Sequence, residues 1–112
     1  MEDRKEILRN CNSDYFYFLV IANSQEIPGN DLLWDLSQSV GNCAIHLGVE
    51  LGLDMVKIEE TLVKYPKSMY EQTFDVLKKW QSSGDVKTIS MLMKAFKLVD
   101  RKGILFLRNK YR

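Results

Sequence analysis

Ser68-Met69-Tyr70-Glu71-Gln72-Thr73-Phe74-Asp75-Val76-Leu77-Lys78-Lys79-Trp80 is the stretch that decides the fold. It opens on a capping box: the Ser68 hydroxyl is placed to accept the Glu71 backbone N–H, and the Glu71 carboxylate to reach back. Met69, Thr73, Val76 and Trp80 then recur at spacings of four, three and four, the period of one helix face. Tyr70, Phe74 and Leu77 widen that stripe beyond a narrow seam. The phasing predicts a buried helix face with Trp80 in the core. It sets Lys78 and Lys79 mostly on the opposite, wetter side.

The same grammar repeats on either side. Upstream, Asn30 or Asp31 can cap a first helix in which Leu33, Leu36 and Val40 share a face, ended by Gly41-Asn42. Ala44, Leu47 and Leu51 mark a second helix, broken by Gly52. Asp54 can cap a third, with Met55, Ile58 and Leu62 inward, and Pro66 ends it. Downstream, Gly84 stops the helix quoted above. Asp85 or Thr88 starts a fifth, with Ile89, Leu92, Met93, Phe96 and Val99 on one face. Gly103 reads as an interruption before a short sixth helix at Ile104–Leu107 and a basic tail. The expectation is an all-α protein: six short helices joined by brief loops, packed as an antiparallel bundle over residues 30–112. Residues 1–29 read as an N-terminal extension. Its apolar run Tyr15–Ala22 suits a strand by composition but has no clean period. Such a run is too apolar to leave in water, so at least half of it should pack on the bundle as a helix, covering one face that a minimal bundle leaves open.

Composition bounds the function. The 112 residues are 46% hydrophobic and 28% charged, fitting one globular domain. The longest apolar run is eight residues, against about 20 for a membrane span. A mixed-charge stretch, Glu2–Glu6, precedes it, which fits a signal peptide poorly. Cys11 and Cys43 have neither metal-site nor disulfide-framework spacing, so both are expected as reduced thiols, at least one buried, in a cytoplasmic setting. His46 is the single histidine, Ser37 and Ser39 have no partner base nearby in sequence, and no phosphate-cradling glycine loop occurs. The chain is therefore expected not to be an enzyme and to use no cofactor or metal.

Charge is segregated along the chain. Between Asn10 and Val56 there is no Lys or Arg but six acids: Asp14, Glu26, Asp31, Asp35, Glu50 and Asp54. From Lys94 to Arg112 there are seven bases (Lys94, Lys97, Arg101, Lys102, Arg108, Lys110 and Arg112) and one acid, Asp100. Opposite charge on different faces suits head-to-tail docking, which does not close after two subunits. A small nucleic-acid-binding helical domain using the basic C-terminal segment is the alternative. The acidic first half and a fifth helix with few bases argue against it.

Three stretches resemble the death domain, a six-helix module of cell-death and innate-immune signalling. Leu33-Trp34-Asp35-Leu36-Ser37-Gln38-Ser39-Val40-Gly41 looks like that family's first helix and turn. Leu47-Gly48-Val49-Glu50-Leu51-Gly52-Leu53 looks like the Leu-Ala-x-x-Leu-Gly-Leu end of its second. Gln72–Trp80 looks like its fourth, and Thr88-x-x-x-Leu92-x-x-x-Phe96 continues the match. Two positions depart: Ala44 stands where the family has a Trp, and Gly48 where it has Ala. The caspase-recruitment, death-effector and pyrin folds share six helices; the Lys78-Lys79-Trp80 ending favours the death domain among them. The resemblance implies a protein-interaction module that assembles signalling complexes with other death-fold proteins, without nucleic-acid or membrane partners. Weak self-association is expected with it. The docking residues expected are Asp31, Asp35, Glu50, Asp54, Glu59 and Glu60 on the acidic side, and Lys78, Lys79, Arg101 and Lys102 on the basic side.

Overall fold

The computed structural model describes residues 26–111. Six helices occupy them: α1 Asn30–Ser39, α2 Ala44–Glu50, α3 Met55–Lys64, α4 Met69–Gln81, α5 Ile89–Val99 and α6 Arg101–Tyr111, with no strand among the described residues. The protein is thus an all-α, six-helix bundle over this range.

Helix α4 is the organising element, packed against α1, α2 and α3. Its start is the Ser68 cap, whose hydroxyl accepts the Glu71 N–H at 3.4 Å. Val76, Leu77 and Trp80 are buried along it, Trp80 to 3% exposure. Two neighbours run antiparallel to α4. Asn30 at the start of α1 meets Lys78 near the end of α4, while Trp34 meets Phe74 and Tyr70 further back. On the other flank Lys57 pairs with Lys79, Thr61 with Asp75 and Tyr65 with Gln72, so α3 descends as α4 rises.

Helix α2 packs on α3, α4 and α5; α5 packs on α2 and α6; α6 returns to α1. The core collects Leu33 and Leu36 from α1, Leu47 from α2, Ile89, Leu92, Met93 and Phe96 from α5, and Ile104 and Leu107 from α6. The helical spacing read from sequence placed most of these correctly. Met55 and Met69 are exceptions, 49% and 54% exposed rather than inward. Each is the first residue of its helix, but that position alone does not expose a side chain, since Ala44 and Ile89 also open helices and are buried; Met55 and Met69 simply have no described neighbour covering them.

Helix boundaries differ from expectation in three places. α1 begins at Asn30 with Gly29 in the capping position, and neither Asn30 nor Asp31 caps it. Val40 ends α1 and Cys43 precedes α2, so Gly41-Asn42 lies between them and caps neither. Gly103 does not interrupt anything: α6 runs through it, and the break falls at Asp100. A Cβ at Gly103 would stand 2.4 Å from the Phe96 ring, so this glycine is a close approach between α5 and α6. Gly48 has the same role between α2 and α3, where a Cβ would stand 2.8 Å from Ile58. Gly52, at φ +84°, is a turn glycine and ends α2 as expected.

Glu26–Gly29 are tied to the bundle. The Ile89 N–H donates to the Glu26 carbonyl at 2.8 Å, and the Gln81 amide donates to the Pro28 carbonyl at 2.9 Å. The rest of the expected extension, including Tyr15–Ala22 and Cys11, lies outside the described residues.

Candidate interaction surface

Helix phase decides which charged side chains reach solvent. On α1, burying Leu33 and Leu36 turns Asp31 and Asp35 outward, and both are exposed. Glu50, near the end of α2, lies 3.8 Å from His46 one turn earlier. Asp54 precedes α3 and is exposed. Burying Ile58 and Thr61 points the opposite face of α3 outward, carrying Val56, Glu59, Glu60 and Val63. That face is apolar as well as acidic: Val56 is 58% and Val63 80% exposed. With Lys64, these residues line a shallow open groove.

The two lysines of α4 are not where the sequence set them. Both are half-buried. The Lys79 ammonium donates to the Lys57 carbonyl at 2.8 Å and to the Thr61 hydroxyl at 2.8 Å, and sits 3.3 Å from Asp75. Glu60 is 4.0 Å away. Thr61 in turn donates to Asp75 at 2.6 Å. Lys79 therefore fastens α3 to α4 along their half-buried seam. Lys78 donates to Asn30 at 2.6 Å and Gln81 at 3.2 Å, joining α4 to the start of α1. The reason is the antiparallel α3–α4 pairing, which lays a row of α3 acceptors under a side chain whose own helix phase points it sideways.

On the basic side, Arg101 and Lys102 open α6 and are exposed. On α5, Met91, Lys94 and Leu98 share the outward arc; Met91 is 43% and Leu98 65% exposed. The charge pattern alone does not point to these two apolar residues. The signal was present, since each falls off the stripe of Ile89, Leu92, Met93 and Phe96. Trp34 is 37% exposed and packs edge-on against Tyr70 and Phe74, with ring centroids 5.5 and 5.0 Å away.

Cys43 is buried and unpaired at the entry to α2. Burial, with the Asp100 charge adding to it, pushes its thiol up from 9.0 to about 11. Among the described residues no group of three or more His, Cys, Asp or Glu side chains could hold a metal ion. No helix among them is long and apolar enough to cross a membrane. The chain matches no family model, no curated protein and no solved structure. The resemblance to the death domain therefore rests on the stretches of sequence that carry it.

Proposed function

We propose that the chain is a protein-interaction module of the death-fold kind, joining signalling complexes through contacts with related six-helix domains. The observation that carries this reading is the outward face of α3. Val56 and Val63 stand in solvent there with Glu59 and Glu60 between them. Exposed apolar side chains edged by charge give a partner apolar surface to cover, and the charges select that partner. The helix order adds support, because the stretches that carry the resemblance fall on α1, α2, α4 and α5 in sequence. Cytoplasmic signalling is the setting this reading implies.

The test is a titration of the isotopically labelled full chain, followed by backbone amide shifts. The titrants are purified death, caspase-recruitment, death-effector and pyrin domains, and a DNA duplex at stepped salt. Saturable shifts on α3 amides with one of the death-fold domains support the proposal. Shifts on α6 with the duplex alone, steeply weakened by salt as phosphate contacts are, overturn it in favour of nucleic-acid binding.

A further inference from the structure

Two helices carry one pattern with opposite charge. On α3 it is Val56, then Glu59 and Glu60, then Val63; on α5 it is Met91, then Lys94, then Leu98. Seven residues of helix turn back to within about 20° of the starting direction and advance about 10.5 Å. Each helix therefore presents two apolar side chains on one line, with its charge between them. All four apolar residues are exposed, from Met91 at 43% to Val63 at 80%. Both helices pack on α2, yet they do not pack on each other. Inside one molecule neither face covers the other.

We infer that the outward face of α5 in one copy seats on the outward face of α3 in a second copy. Met91 and Leu98 lie against Val56 and Val63, and Lys94 reaches Glu59 and Glu60. This inference rests on the interaction-module reading and supplies its partner. A second copy is the occupant because the match in spacing and in charge sign is between two faces of this same chain. The net charge of +1 leaves little overall repulsion between copies. The contact is heterologous: the first molecule keeps its α3 face unused and the second its α5 face, so association continues past the dimer. One helix pair buries less than the roughly 800 Å² per partner of a standard stable interface, so association is weak. Its ionic part is screened by salt.

The experiment is sedimentation of the full chain over a concentration series at low and high salt. The wild type is expected to grow in mass with concentration and to shrink with salt. Glu59→Lys with Glu60→Lys, and separately Lys94→Glu, each weaken association by about tenfold or more, since like charges then face each other. An equal mixture of the two variants associates again, because the intact α5 of one meets the intact α3 of the other. Carbodiimide crosslinking of mixed light and heavy wild-type protein needs no variant. A Lys94–Glu59 or Lys94–Glu60 crosslink between isotopes supports the inference. A monomer at every concentration, variants that associate like wild type, a mixture that stays apart, or Lys94 crosslinked only within its own chain overturns it. A monomer whose α3 still binds a death-fold domain overturns the self-contact alone. A monomer that binds none removes the interaction-module reading as well.

Discussion

The Asp100 carboxylate accepts the Gly41 backbone N–H at 3.0 Å, a bond between residues 59 apart in the chain. Its other oxygen accepts the Lys102 N–H at 2.9 Å in the first turn of α6. One side chain thus caps a helix and holds the α1–α2 corner. Asp100→Ala leaves both N–H groups without that acceptor. The expected loss is about 1–3 kcal/mol, because each donor then depends on water reaching it. Asp100→Asn keeps an acceptor oxygen and should lose less. Urea unfolding of the two variants checks the order; equal losses would mean that the carboxylate's charge, not its geometry, matters.

Gly103 sits in a helix, where Ala is ordinarily better by about 1 kcal/mol. Against that, an added Cβ would lie 2.4 Å from the Phe96 ring, and Phe96 is fully buried and hemmed in. Overpacking costs about 1–3 kcal/mol and wins. Gly103→Ala is expected to lower the melting temperature. A rise would show that α6 can slide off Phe96.

Lys79→Ala removes the donor shared by the Lys57 carbonyl, Thr61 and Asp75. A loss of about 1–3 kcal/mol is expected. Lys102→Ala, on an exposed side chain, should change stability by only about 0.5 kcal/mol. Thermal melts distinguish the two; equal small changes would put Lys79 in solvent rather than in the α3–α4 seam.

Trp80→Ala empties the largest side chain on the buried face of α4, and a loss of about 3–5 kcal/mol is expected. Chemical denaturation measures it. A midpoint close to wild type would remove Trp80 from the core.

The Cys43 thiol, raised from 9.0 to about 11, holds its proton more firmly folded than unfolded. The sign follows from linkage: its contribution to stability is complete below pH 9.0 and falls away as pH rises towards about 11. Two units also cut the thiolate fraction about 100-fold, so alkylation at neutral pH should be slow. The check is mass spectrometry of iodoacetamide labelling at Cys43 in folded and urea-unfolded protein. Equal rates would mean that the site opens freely.

The helical class, the positions of the six segments and most of the core are legible in the order of residues alone. Those properties are periodic and local: Val76, Leu77 and Trp80, or Ile89, Leu92 and Phe96, declare a buried face through spacing alone, before any partner is known. The same order puts Asp31, Asp35, Glu59 and Glu60 on outward faces, since the phase that buries one side exposes the other. Whatever depends on a neighbour brought in from far along the chain is settled only by the packing of the helices. Gly103 looks like a breaker until Phe96 is seen against it. Lys79 looks like a solvated charge until the antiparallel α3 lays the Lys57 carbonyl and Thr61 beside it. Met55 and Met69 keep the apolar period yet are half in solvent, because no described neighbour covers them. Periodicity reports the direction in which a side chain points from its own axis, and only the packing of other helices supplies what it meets there.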